Sequence, residues 1–124
     1  MKQAILIKRV YDKPLQKDGT RILVDRLWPR GLSTEEAAID EWQKDLAPST
    51  KLRTWYGHQQ ELWPSFQKQY VAELKKNKAV DGFIEKYKDT GTITLLYAAK
   101  NTEHTHALIL QQYLKEQFTA EDNP

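Results

Sequence analysis

Three short apolar runs along the chain predict the strands of a sheet. The first is Ala4–Tyr11, which contains several β-branched residues, and the second is Ile22–Val24. The third, Thr92–Tyr97, is the clearest strand of the sequence. Asp18-Gly19, shortly before the second run, is a turn signal, so we expect a loop between the first two strands.

Apolar residues after the second strand recur at near-helical spacing. Ser33 and Glu36 form a capping box, and the pattern that follows predicts one helix that stops before Pro48. The apolar positions of this predicted helix are Ala38, Ile39, Trp42 and Leu46.

Further helices are predicted on both sides of the third strand. One opens at Ser49 and ends at Gly57, and a longer one follows with Pro64 in its first turn, where the missing N–H costs little. Val80–Tyr87 reads as a short helix. The last helix is predicted over about 103–118.

The order of these elements predicts the fold class. Strands separated by helices favour a parallel sheet over a helical bundle. We expect one α/β domain over residues 1–124, a small, mostly parallel sheet of three or four strands packed with about five helices. Three recognised strands are few for such a sheet, so a fourth could have escaped detection.

Composition narrows the class of protein. The 124 residues include no cysteine, which excludes a disulfide scaffold, a thiolate zinc site, an iron–sulfur cluster and a cysteine nucleophile. No apolar run approaches the roughly 18 residues of a membrane span, and the start of the chain does not resemble a signal peptide. We therefore expect a cytoplasmic protein with no membrane partner. The net charge of +2 is too small to favour a general nucleic-acid binder.

The segment after the second strand carries the strongest candidate chemistry. Ligands of open α/β sheets bind outside the carboxyl ends of the strands, and Asp25 lies just past such an end. It could act as a general base, while Arg26 and Arg30 could hold an anion through their guanidinium groups. Trp28 could form a wall of the site. The alternative is that Asp25 and an arginine form a structural ion pair while Trp28 fills the core.

The segment after the third strand is the second candidate. The N-terminus of the last helix could bind an anion, with Asn101 or Thr102 as its cap. Lys100 adds a cation, and His104 could be a general acid or base near neutral pH. The alternative is a purely structural helix start with solvated histidines, which is the interpretation we favour for His106.

We expect these two segments to face one crevice, since both follow apolar strands. His58, beside Gly57, could form a third wall. The predicted catalytic residues are Asp25 and His104, and the predicted ligand-binding residues are Arg26, Trp28, Arg30, Lys100, Asn101 and His58.

No metal or cofactor is expected. His104 and His106 are two positions apart, a spacing that turns two rings to different sides of a helix. The sequence has no His-Glu-x-x-His motif, no acidic calcium loop, no Gly-rich phosphate loop and no nucleophile elbow.

The run Val24–Ser33, with its Asp-Arg-Leu-Trp-Pro-Arg-Gly string, resembles the YeaO-like branch of the domain-of-unknown-function 488 family. The similarity covers nearly the whole chain and continues through Lys44–Ser49, Trp55–His58 and Leu95–Lys100. This chain departs from the family at 105–106, where the family more often has amides.

The resemblance implies a compact α/β domain, mostly bacterial, with no established activity. Some relatives carry a methyltransferase label, but this short chain lacks the Gly-rich cofactor loop that such chemistry needs. A more distant branch has a Cys-His-Arg run where this chain has His104-Thr105-His106. That correspondence hints at a shared site where the last strand meets the last helix.

Three functions remain open at this point. The first is a protein, or an enzyme, that binds a small anionic, phosphate- or nucleotide-like ligand in the crevice, and we favour it. The second is a non-catalytic protein-interaction module. The third is a nucleic-acid-associated factor using Arg21, Arg26, Arg30 and Lys100 with Trp28 as a stacking platform. The sequence does not indicate an oligomeric state.

Overall fold

The computed structural model describes residues 3–122. The strands and α-helices, in chain order, are β1 (Ala4–Arg9), β2 (Thr20–Leu23), α1 (Thr34–Ala37), β3 (Glu41–Trp42), α2 (Thr50–Tyr56), α3 (Trp63–Lys76), α4 (Lys78–Tyr87), β4 (Thr92–Tyr97) and α5 (His106–Asp122). Short 3₁₀ turns lie at Gln16–Asp18, Lys44–Leu46 and Gln60–Leu62. The α/β fold expected from the sequence is confirmed.

The four strands form one parallel sheet in the order β1-β4-β2-β3. β4 and β2 are therefore the central strands, paired with Ile22 opposite Leu95. Each is short and apolar, as expected of parallel strands covered on both faces. Because all four run the same way, their carboxyl ends lie at one edge of the sheet.

Successive side chains of a strand point to opposite faces of the sheet, and two separate apolar cores result. Ile22 and Leu95 belong to the larger core, which packs against α2, α3, α4 and α5. Leu23 and Leu96 belong to a smaller core with Val10 on the other face. The helices thus lie mainly on one side, and short segments cover the other.

The long helix predicted from Ser33 to Pro48 is wrong. Ser33 does cap a helix, but α1 ends at Ala37 after one turn. The guanidinium of Arg21 donates to the carbonyl oxygens of Ala37 and Ala38. Asp40 exchanges backbone and side-chain hydrogen bonds with Arg21. These contacts draw the following residues onto β2 as the short strand β3, the fourth strand of the sheet.

Local signals predicted the next elements well. Ser49 accepts a hydrogen bond from Leu52 N–H and caps α2, and Gly57 ends it in a left-handed conformation. Pro64 lies in the first turn of α3 and β4 has the predicted bounds.

The start of the last helix differs from the prediction. Asn101 accepts hydrogen bonds from the N–H groups of Glu103 and His104, but these form a turn that precedes the helix. α5 begins at His106, with Thr105 accepting from the N–H of Ala107. Thr105 therefore caps α5, in place of the predicted Asn101 or Thr102.

Candidate functional site

A cleft of about 740 Å³ opens at the carboxyl edge of the two central strands. Asp25 follows β2, and Ala98 follows β4. The Asp25 carboxylate accepts a hydrogen bond from Ala98 N–H at 2.8 Å, which ties the two strand ends together. The opposite wall comes from α2, the turn after it and the start of α3, including Arg53, His58 and Trp63.

Six of the eight residues predicted for the site line this cleft, and Arg26 and Trp28 do not. The cleft-lining residues among the predicted set are Asp25, Arg30, His58, Lys100, Asn101 and His104. They come from three segments that are distant in sequence. All of them except His58 follow the carboxyl end of β2 or of β4.

The polar centre of the cleft is the pair formed by Asp25 and His106. Asp25 Oδ1 lies 3.4 Å from His106 Nε2, and the same nitrogen is 3.0 Å from the carbonyl oxygen of Val24. A carbonyl oxygen only accepts, so Nε2 carries the proton and donates it. Asp25 is therefore paired with His106, whereas the sequence suggested His104 as its catalytic companion.

Burial favours the neutral forms of this pair. It raises the pKa of Asp25, and the attraction of His106, the Ala98 N–H and the charge of Arg53 offset only part of that rise. Burial also lowers the pKa of His106, despite the opposing attraction of Asp25 and the Val24 carbonyl. The side chain of His106 is only 16% exposed, so the expectation that it is solvated is wrong.

Three cations line the cleft and are exposed. They are Arg30 from the loop after β2, Arg53 from α2 and Lys100 from the loop after β4. Within residues 3–120, whose side chains the structure describes, none of the three has a carboxylate within salt-bridge distance. Against the single carboxylate of Asp25, they give this cleft an excess of positive charge.

The inner wall of the cleft is aromatic. Tyr56 lies 4.5 Å from Phe66 and 5.8 Å from Trp63, measured between ring centroids. Trp63 in turn lies 5.0 Å from the ring of His104, and His58 packs 6.2 Å from Tyr56. The wall therefore presents ring surface beside the three cations.

His104 forms part of this wall and leaves one nitrogen unpaired. Its Nδ1 is buried and has no hydrogen-bond partner among the residues that the structure describes. A buried polar atom without a partner destabilises the fold. His104 is thus in the predicted place, without a contact to Asp25.

Arg26 does not join Arg30 in an anion clamp. Its guanidinium donates to the backbone carbonyls of Ala47 and Pro48, both at 3.3 Å. These bonds fasten the loop after β2 to the start of α2. The structure therefore places Arg26 behind the cleft wall, not in the lining as expected.

Trp28 does not line the cleft either. It packs against the smaller core with Leu23 and Leu96, and its ring meets that of Trp42 edge-on at 5.5 Å. Its indole N–H donates to the carbonyl of Leu32 at 2.8 Å. The expectation of a cleft wall is corrected to the core position that the alternative proposed.

Arg53 and His106 were missed as members of the site. Both are carried by helices, and the rotation of a helix about its axis depends on its packing partners. The one available signal for Arg53 was its place one helical turn before Gly57 and His58, on the segment that the family resemblance covers.

No cluster of three metal-ligating side chains is found in the part of the chain that the structure describes. Over the same residues, none of the helices combines the length and the apolar character needed to cross a membrane.

Comparison with known proteins reveals relatives of unassigned activity. A family model described as the inactive DUF488-N3 subclade matches residues 4–124. The chain is 44% identical over 111 residues to the uncharacterized protein YeaO of Escherichia coli (strain K12), covering 90% of this chain and 96% of YeaO. It is 36% identical over 110 residues to an uncharacterized protein of Mycobacterium tuberculosis (strain H37Rv), covering 89% and 92% respectively. No solved structure matches the chain significantly.

Proposed function

Because this chain belongs to the inactive DUF488-N3 subclade, we propose that it is a binding protein that holds a small anionic ligand in its cleft without transforming it. The observation that carries this proposal is the set of three exposed cations, Arg30, Arg53 and Lys100, on one cleft whose lining includes a single carboxylate, that of Asp25. A cytoplasmic location is part of the proposal.

The charge balance of the cleft favours an anion. Three cations face one carboxylate, and burial raises the pKa of that carboxyl. Two of the cations are guanidinium groups, which bind phosphate and carboxylate through two parallel hydrogen bonds. A low-dielectric cleft wall strengthens such interactions relative to open solvent.

The state of the Asp25–His106 pair favours binding over catalysis. Burial lowers the pKa of His106, and its Nε2 proton is already donated to the Val24 carbonyl. A nitrogen whose proton is held by a backbone carbonyl is not free to take a proton from a ligand, so Nε2 is not available as a general base. The pair instead joins the two strand ends, which keeps the cations on neighbouring loops in a fixed relation. The description of the family as inactive points the same way.

A nucleic-acid role has less support than an anionic ligand. Arg21 is only 5% exposed and bonded to Asp18, and Arg26 donates to backbone carbonyls. Trp28, the proposed stacking platform, packs in the smaller core. Because Arg21 and Arg26 are engaged in these contacts, the predicted nucleic-acid surface keeps too few free cations to bind a run of backbone phosphates.

Calorimetry with ribose 5-phosphate tests the proposal. We expect binding that weakens as salt is added, and a loss of affinity of about tenfold or more in Arg53→Gln and in Lys100→Gln. Lys75→Gln and Lys76→Gln remove exposed cations at the end of α3, away from the cleft, and serve as matched controls.

The control variants Lys75→Gln and Lys76→Gln distinguish a specific site in the cleft from a general effect of net charge. Equal losses in the cleft and control variants would show that only the net charge of the protein matters. Absence of any measurable heat with ribose 5-phosphate, with inorganic phosphate and with citrate would overturn the proposal of an anion site.

A further inference from the structure

The aromatic wall beside the cations indicates which chemical group the ligand has in addition to its anion. Resting on the proposed function, we propose that the ligand is a phosphomonoester that bears a planar ring, with its ring against His58 and Trp63 and its phosphate on Arg53 and Lys100. A nucleoside monophosphate has this chemistry.

The size of the cleft points to more than a bare anion. Its volume of about 740 Å³ lies in the range of sites for small organic ligands. Apolar and aromatic groups make up much of the lining, including Tyr56, Trp63 and Phe66. Tyr56 and Phe66 are already buried within the wall. Inorganic phosphate would leave the exposed ring of His58 and the half-buried ring of Trp63 in water, whereas a planar ring would cover them.

The ring wall and the cations are close along the same helix. Arg53 and Tyr56 are three positions apart on α2 and lie on one face of it, and both line the cleft. The distance along the axis is about 5 Å. His58 and Trp63 pack on the buried ring of Tyr56, so a phosphate joined to a ring through a short linker can meet Arg53 and these two rings together.

The backbone at His58 supports a role for its ring. His58 has φ of +61°, directly after Gly57 with φ of +52°. Left-handed backbone is costly for a non-glycine residue, and such strain concentrates at functional sites. Asparagine or glycine would adopt this conformation more readily. The histidine ring is exposed at the cleft and packs on Tyr56.

The experiment compares two phosphomonoesters that bear a planar ring with one that does not. Calorimetry is performed with AMP, phenyl phosphate and ribose 5-phosphate on the wild-type chain. Stacking of one base on aromatic side chains is worth roughly tenfold or more in affinity. We expect AMP and phenyl phosphate to bind about tenfold tighter than ribose 5-phosphate.

His58→Asn then separates ring contact from structure. Asparagine accepts left-handed backbone, so the variant is expected to unfold at the wild-type temperature or above. Its preference for ring-bearing phosphates should fall to about threefold or less, while ribose 5-phosphate binds as before. Thr54→Asn, at an exposed position of α2, is the control for an added amide near the cleft.

Each outcome decides a separate point. Equal affinity for AMP and ribose 5-phosphate, with both weakened in Arg53→Gln, would refute the ring proposal and leave the anion site intact. A preference that persists in His58→Asn would refute the role of His58. If AMP binds tightly and phenyl phosphate does not, the contact is specific to a nucleobase and the general ring proposal fails. No binding of any of the three would refute both proposals.

Discussion

Asp18 and Asp25 are in surroundings that move their pKa values in opposite directions. Burial raises the pKa of Asp18, but hydrogen bonds from the Leu15 N–H, Lys8 and Arg21 outweigh it and leave the pKa below its ordinary value. For Asp25, burial prevails and the pKa is raised. Asp18 is therefore a fixed anion of the fold, whereas Asp25 sits in the cleft with its charge disfavoured.

Asp18→Asn is expected to destabilise the protein by about 3–5 kcal/mol, because it leaves the buried guanidinium of Arg21 without its charged partner. The effect depends on pH. A carboxyl with a depressed folded-state pKa adds stability above its unfolded value of about 3.9, and that stability is lost as the pH falls through the folded value. Urea unfolding across acidic pH should show this loss in the wild type and a smaller one in the variant.

Asp89→Asn, at an exposed position in the turn after α4, is the control for Asp18→Asn and should change stability little. Equal stability of Asp18→Asn and the wild type at neutral pH would contradict the account of this ion pair.

Trp28→Ala is expected to cost about 3 kcal/mol of unfolding free energy and to leave affinity for ribose 5-phosphate unchanged. The reason is that Trp28 packs with Leu23 and Leu96 and contacts Trp42 outside the cleft. Denaturant unfolding and calorimetry on the same sample measure both quantities. Loss of binding with little loss of stability would instead show that Trp28 lines the cleft.

At the scale of the element, the helices and strands that local sequence signals determine were predicted, and the strand that tertiary contacts determine was not. α2, α3 and β4 follow from features within each segment, such as the Ser49 cap and the Gly57 stop. β3 does not, because its two residues are brought onto β2 by contacts between segments distant in sequence, among them the hydrogen bond from Arg21 N–H to the Asp40 carboxylate. A residue pattern reflects local conformational preference, so it does not predict an element that forms through contacts with distant residues.

In the site, likewise, residues that follow strand ends were predicted and residues carried by helices were not. Asp25, Lys100 and their neighbours were found because parallel strands end at one edge. Arg53 and His106 reach the cleft from α2 and α5, and the packing of those helices is not readable from their periodicity. Trp28 was misplaced because an extended loop can direct a ring to either face of the sheet.

The turn before β2 depends on Gly19. Its φ of +65° and ψ of −134° suit glycine alone, and a Cβ there would lie 2.3 Å from the carbonyl oxygen of Thr92. Gly19→Ala should therefore destabilise the fold by about 3 kcal/mol or more. Gly82→Ala, in α4 with open space around it, should stabilise by up to about 1 kcal/mol. Thermal unfolding of both variants checks the contrast, and similar shifts in the two would contradict it.

At the scale of the whole molecule, the cleft is a product of the sheet topology. β4 and β2 are adjacent although far apart in sequence, so the loops after them bring Asp25 and Lys100 to one edge. The larger core holds α2 against this edge through Leu52 and Tyr56. Anion binding at this edge is the central claim, since both the ligand class and the role of the aromatic wall depend on it.

The most direct test is a titration of the ¹⁵N-labelled protein with ribose 5-phosphate, followed by amide chemical shifts. We predict saturable changes at residue 53, at Gly57-His58 and at Lys100-Asn101, reduced by added salt and moved to about tenfold or more higher ligand concentration in Arg53→Gln. The end of α3, at 75–77, should stay unchanged. Changes spread evenly over the surface, or centred on α4, would contradict an anion site in the cleft.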